Sequence, residues 1–232
     1  MKRFYKDATV GGEPTDGFVV LLDGLPIKTP GKRGLALPTH GVAHAVAEEW
    51  QAQGEEVDPA SMPMMRYAAT AIDRITTQRQ AVVDEIAAFG AHDLLCYREQ
   101  EPTLVALQIK SWQPLLDWAA RELLAPLEVT QGIASIAQPA QSLRNLTVEV
   151  SVCTDMQLSA LHTVTSITGT LVGSLALIKG HVNVAALWEA AIIDEQFQAD
   201  KWGVVDDAEE RLEARREAMS EAARFFDLCT VR

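Results

Sequence analysis

In this chain the hydrophobic period changes once. Strand chemistry is confined to residues 3–37, and from Met62 onward the apolar patterns repeat almost entirely at helical spacing. Phe18 to Leu22 is an apolar run, followed by Asp23-Gly24 as a turn signal and by Leu25-Pro26-Ile27-Lys28-Thr29, which together predict a hairpin. Pro26 lacks an N–H and confines the second arm to the sheet edge. Gly11-Gly12 and Pro30-Gly31 read as turns, and Leu35-Ala36-Leu37 as a further short strand. So few short strands need cover on one face. Val42, Ala43, Val46, Ala47 and Trp50 supply it from one side of a helix predicted from His40 to Gln53 and stopped by Gly54. Trp50, central in that arc, is predicted to pack between sheet and helix.

Beyond this unit, Met65, Ala68, Ala69, Ile72 and Ile75 follow a first-turn Pro63, and Val82, Val83, Ile86 and Phe89 precede Gly90. Two helices are expected on either side of Gln113-Pro114, with Pro114 at a helix start. Leu127-Glu128-Val129 is extended in character and is expected to return to the sheet. Residues 143–153 fit both periods; the stripe Leu143, Leu146, Val150, Cys153 favours helix. Three more helices are expected over 155–178, 183–202 and 206–227, the last opened by Asp206-Asp207 at its positive end. The fold class is therefore α+β: a small N-terminal antiparallel β-sheet with a packed helix (residues 1–60), then an all-α helical bundle (61–232).

Composition narrows the function. Lys and Arg number 20 against 32 Asp and Glu, a net charge of −12, and no basic cluster offers a track for phosphates, which excludes an ordinary nucleic-acid binder. The three cysteines, Cys96, Cys153 and Cys229, have no metal-ligand spacing and read as reduced thiols. Residues 1–10 resemble neither a secretory signal nor a transit peptide, so the expected location is the cytoplasm. Leu161–Ile178 is the one apolar stretch of spanning length, but its six Ser and Thr residues favour a buried helix.

Few residues suggest chemistry. His40, His44 and Glu48 share a helix face at metal-ligating spacing, which keeps a metal-dependent hydrolase as the alternative reading, although the face points away from the apolar arc and no second ligand set accompanies it. His92, His162 and His181 are isolated. Gly169-Thr170-Leu171-Val172-Gly173 lacks the ending of a phosphate loop and reads as close helix packing. The informative stretch is Asp194-Glu195-Gln196-Phe197-Gln198 with Lys201-Trp202-Gly203. On a continuous helical wheel Glu195 falls among Trp188, Ile192, Ala199 and Trp202, whereas Asp194 projects away. Such a carboxylate either pairs with an internal Arg or Lys or faces a groove where a partner supplies the cation.

In order along the chain, Arg3-Phe4-Tyr5-Lys6, Leu22-Asp23-Gly24, Leu37-Pro38-Thr39, Ala47-Glu48-Glu49-Trp50-Gln51-Ala52-Gln53, Met62-Pro63-Met64, Asp93-Leu94-Leu95-Cys96-Tyr97-Arg98, Trp112-Gln113-Pro114-Leu115-Leu116 and the Asp194–Gly203 stretch resemble the ATP-twelve chaperones, which assist assembly of the catalytic sector of F-type ATP synthase. The resemblance implies a non-enzymatic, two-domain protein that binds the free alpha subunit transiently, as a monomer, until the beta subunit takes its place. It implies no nucleotide, metal or other cofactor. It places Asp194, Glu195, Phe197 and Trp202 at the partner-binding surface. Gln113 stands where the family pattern has Asp, which removes a charge there. Mitochondrial members carry a presequence, so a bacterial cytoplasmic member is expected.

Overall fold

A computed structural model describes residues 1–13, 15, 17–132, 134–203 and 208–230. In chain order the elements are β1 (Ala8–Glu13), β2 (Gly17–Leu22), β3 (Leu25–Pro26), α1 (His40–Gln51), α2 (Pro63–Thr70), a π-helical turn (Ala71–Ile75), α3 (Thr76–Ala88), β4 (Tyr97–Arg98), α4 (Pro102–Glu122), β5 (Thr130–Gln131), α5 (Ala140–Ser151), α6 (Asp155–Thr168), α7 (Leu171–Ile178), α8 (Val184–Ala191), α9 (Ile193–Trp202) and α10 (Ala208–Leu228). The α+β class holds: a three-stranded sheet, then helices. Two compact units form, one from Met1–Arg79, Thr154–Ala160 and Arg224–Arg232, the other from Gln80–Cys153 and Leu161–Ala223. Residues 60 and 61, on either side of the boundary expected from the sequence, both lie in the first.

In the first unit β1 pairs antiparallel with β2 from Ala8↔Leu22 to Glu13↔Gly17, and β2 pairs with β3 at the edge. Asp23 and Gly24 have φ of 48° and 83°, the left-handed backbone that a two-residue hairpin needs to follow the strand twist. The Asp23 carboxylate accepts from the N–H groups of Asp7 (2.9 Å) and Lys6 (3.1 Å), and these donors hold its pKa below the ordinary carboxylate value. α1 lies on β1 and β2 with Val42, Ala43 and Val46 fully buried. Its cap is Thr39, whose hydroxyl accepts from the Val42 N–H at 3.2 Å and donates to the Leu228 carbonyl at 2.6 Å. α2 has no cap of its own at Met62. Instead the Glu49 carboxylate reaches over from α1 and accepts from the N–H groups of Met64 (2.7 Å) and Met65 (2.8 Å), placing negative charge at a positive helix end.

Two expectations for this unit fail. Gly11 and Gly12 are not a turn but part of β1; Gly12 has φ 92°, and a Cβ there would lie 2.4 Å from the Gly17 carbonyl oxygen, so glycine serves close strand approach. Leu35-Ala36-Leu37 forms no strand: Leu37 alone makes an isolated bridge to Phe18, exchanging both backbone hydrogen bonds at 2.8 and 2.9 Å, and the bridge Lys28↔Gly34 precedes the segment. Burial of Leu35 and Leu37 fixes the segment without a ladder.

In the second unit, α4 runs unbroken through Pro114 rather than as two helices. Proline withdraws the donor that would meet the Lys110 carbonyl, but Lys110 is exposed and water can replace that bond. Trp112, Leu115, Leu116 and Trp118 are buried on both sides of the proline and hold the helix together. Leu127-Glu128-Val129 does not return to the first sheet; it leads into β5, which pairs in parallel with β4. The helix expected over 143–153 is present as α5. The three expected after it are five. Gly169, at φ 69°, separates α6 from α7, and Ile192, at φ −101° and ψ 9°, separates α8 from α9. The expected acidic start at Asp206-Asp207 lies outside the described residues.

The N-terminus of α7 is satisfied twice: the Thr170 hydroxyl accepts from the Gly173 N–H at 2.9 Å, and the fully buried Asp93 accepts from the Val172 N–H at 2.9 Å and the Leu95 N–H at 3.1 Å. Burial pushes the Asp93 pKa up to about 6 despite those donors. A Cβ on Gly173 would lie 2.6 Å from Leu187 Cδ1, which is the close helix packing expected there. No helix among the described residues is long and apolar enough to cross a membrane.

Candidate functional site

The Asp194–Trp202 segment is α9, and its surroundings are built entirely within the second unit. Because α8 ends at Ala191 and Ile192 breaks the helix, the helical wheel does not continue in phase from Trp188 into α9. The consequence reverses the expected roles of the two acids. Asp194 is the half-buried one: Gln108 Nε2 donates to Asp194 Oδ1 at 2.7 Å. Gln108 is itself fully buried on α4, and its Oε1 accepts from the Glu99 N–H at 2.9 Å, which fixes the amide's orientation. Burial raises the Asp194 pKa, opposed by the Gln108 hydrogen bond.

Glu195 is exposed, not enclosed by the apolar stripe. Arg215 on α10 donates from Nη1 to both its oxygens, at 2.9 and 2.8 Å. The same guanidinium lies 5.7 Å from the Trp188 ring centroid and donates from Nη2 to the Ile167 carbonyl at 3.3 Å. An internal cation therefore exists, and the pair is open to solvent, with side-chain exposures of 38% for Arg215 and 47% for Glu195. Further along, Lys201 places its ammonium 5.6 Å from the Phe197 ring and 5.4 Å from the Trp202 ring. Phe197 is half-buried; Trp202 is 72% exposed at the end of the helix. The arrangement is an exposed aromatic edge, a cation and a solvent-facing ion pair, standing on a helix anchored from beneath through Gln108.

Trp50 lies in the other unit. It is half-buried, packs edge-to-face on Tyr5 with centroids 5.6 Å apart, and its carbonyl accepts from the Tyr5 hydroxyl at 2.6 Å. His40, His44 and Glu48 do share an exposed face of α1. The His40 and His44 rings are 6.0 Å apart, His44 Nδ1 lies 3.5 Å from Glu48, and Arg224 also approaches Glu48. Among the described residues no group of three or more His, Cys, Asp or Glu is placed to hold a metal ion. Of the isolated histidines, His162 pairs with Glu85 at 3.1 Å and His181 stacks on Trp118. All three cysteines are free and buried, and burial pushes the Cys96 and Cys229 thiols up to about 12, far from a nucleophile's range.

Gln108 and Arg215 were not singled out in the sequence. Gln108 carries a readable signal, a polar residue within the stripe Leu104, Gln108, Trp112, Leu115. Arg215 carries none, being one of several charges on a polar helix.

The comparisons with known proteins agree with this architecture. The ATP12 family profile, described as ATP12 chaperone protein, matches residues 2–120. The chain thus belongs to the ATP12 chaperone family, and it is a chaperone rather than an enzyme. It is 24% identical over 223 residues to the protein atp12, mitochondrial, of Schizosaccharomyces pombe, covering 90% of this chain and 76% of that one. The crystal structure of Atp12 from Paracoccus denitrificans superposes with a TM-score of 0.95 at 40% identity, over 99% of this chain and 98% of that chain. A variant of that Paracoccus protein, with an aspartate replaced by lysine, matches with the same values.

Proposed function

We propose that this chain assists assembly of the catalytic sector of F-type ATP synthase by binding the free alpha subunit and keeping it from aggregating until the beta subunit takes its place. Membership of the ATP12 chaperone family supports the assembly role. The observation that carries the binding reading is Trp202, a large aromatic left open to solvent on the motif helix α9. An unassembled subunit exposes apolar interface, and tryptophan is among the residues that dominate such contacts. Phe197 and Lys201 extend that edge. Glu195 supplies a charge whose exposed pairing with Arg215 can be exchanged for a client cation at little cost. Asp194 holds the helix in place beneath. The proposed action is that of a cytoplasmic monomer without cofactor, since a transient cover needs shape and apolar contact rather than covalent chemistry.

The test is refolding of isolated alpha subunit with an equimolar amount of this protein, followed by light scattering. Suppressed aggregation is expected; aggregation at the rate seen with an inert control protein would overturn the reading.

A further inference from the structure

The first compact unit contains a cleft of about 570 Å³ that takes no part in the α9 surface. Its volume is that of a ligand site, which spans roughly 300–1,000 Å³. Its walls include Trp50, Met62, Met65 and Ala69, and methionine adapts its shape to varied apolar side chains. The Trp50 indole N–H is buried with no hydrogen-bond partner among the described residues. Three cations, Lys28, Arg66 and Arg74, stand at the cleft and are all exposed. None of them makes an ion pair among the described residues. The one carboxylate there, Asp73, is already engaged, accepting from the Thr29 hydroxyl at 2.6 Å and the Gly31 N–H at 2.8 Å. In a chain of net charge −12, this cleft has the opposite sign.

We infer that the cleft binds a short client segment in which apolar side chains adjoin an aspartate or glutamate, the apolar groups against Trp50 and the methionines and the carboxylate toward Lys28, Arg66 and Arg74. Cations that make no ion pair among the described residues, Arg66 meeting only the Tyr67 ring at 5.8 Å, select beside an apolar wall for such a segment and against a basic one. The source of the segment rests on the chaperone reading above; the chemistry of the cleft does not.

The probe is a fluorescein-labelled peptide, Ala-Leu-Phe-Glu-Leu-Glu-Ala, with a control carrying Gln in place of both Glu, each titrated into the full chain and followed by anisotropy. Saturable one-to-one binding is expected, weakened about five- to tenfold by the Gln control and by the combined Lys28→Gln, Arg66→Gln, Arg74→Gln variant. These three side chains are exposed, so the variant keeps its fold, checked by circular dichroism. Equal binding of the two peptides, or undiminished binding by the variant, overturns the inference. So does saturable binding of dodecanoate without binding of the acidic peptide, which makes the cleft a site for small amphiphiles. Peptide binding in a protein that fails to protect alpha subunit supports the cleft and removes the alpha-subunit reading. Protection of alpha subunit without peptide binding removes the cleft alone.

Discussion

The segments Glu48–Gln53, which closes α1 and runs just past it, and Asp194–Trp202, which lies in α9, are both rich in carboxylates and amides and marked by a tryptophan, yet they use those groups in opposite directions. In the first, Glu49 caps α2, Gln51 accepts from the Ala8 N–H at 2.8 Å, and Gln53 accepts from the Asp58 N–H at 2.7 Å while donating to Ser61 at 3.1 Å. These groups are consumed within the chain itself, mostly by its backbone. In the second, Asp194 is tied inward to Gln108, while Glu195, in an exposed pair with Arg215, and Trp202 face water. A polar motif residue that satisfies a distant backbone donor is needed for folding; one left open is available for a partner.

Four substitutions probe that contrast. Glu49→Ala strips two N–H groups of a charged acceptor and should cost about 2–3 kcal/mol in urea denaturation. A cost near that of a surface change would mean that Glu49 does not hold α2. In the second unit Asp93 is the inward counterpart, and Asp93→Asn, which keeps one acceptor of two, should cost about 1–2 kcal/mol at pH 7. Its pH dependence has a definite sign. The folded-state pKa of about 6 lies above the ordinary value of 3.8, so the native state binds the proton more tightly and Asp93's contribution is fully present below pH 3.8. It is lost as pH rises through about 6. The stability gap between wild type and Asp93→Asn should therefore widen from pH 7 to pH 4; a constant gap would remove Asp93 as its source.

The outward residues should behave differently. Glu195→Gln should change stability by less than about 1 kcal/mol, because the pair with Arg215 is solvent-exposed, while weakening capture of alpha subunit in a pull-down. A large fall in melting temperature would instead make Glu195 a structural residue. Trp202→Ala should be the gentlest to the fold, within about 0.5 kcal/mol, yet weaken capture at least about fivefold, the range of an interface aromatic. Unchanged capture by both variants would move the binding surface away from α9.

Local chemistry was legible in the sequence where its causes are local. Asp23-Gly24 announces the hairpin because the turn requires positive φ at both residues, and Val42, Ala43 and Val46 announce α1 because one face must be buried. Pro114 misleads because its cost depends on whether the Lys110 carbonyl reaches water, a property of the packed helix. Ile192 misleads more seriously. No glycine or proline marks the break between α8 and α9, so a continuous wheel exchanges the environments of Asp194 and Glu195. The partners that define the site, Gln108 for Asp194 and Arg215 for Glu195, lie 86 and 20 residues away, beyond any periodic signal. The Asp194–Trp202 motif points to one helix, α9, but only the assembled unit distinguishes which of its two acids is anchored.

The Thr39 hydroxyl, which receives the Val42 N–H and gives its own proton to Leu228, has a meaning in time as well as space. During synthesis the start of α1 and its sheet emerge long before residue 228, and Tyr67 also waits for Phe225, whose ring lies 5.3 Å from its own. Pairings so distant in sequence form slowly, because the intervening chain must first be made and then brought back. This protein therefore passes through a stage on the ribosome in which its own apolar surface stands uncovered, the same hazard from which a chaperone shields its clients. Halting translation before residue 224 should leave the first unit protease-sensitive, and releasing the chain past residue 230 should close it.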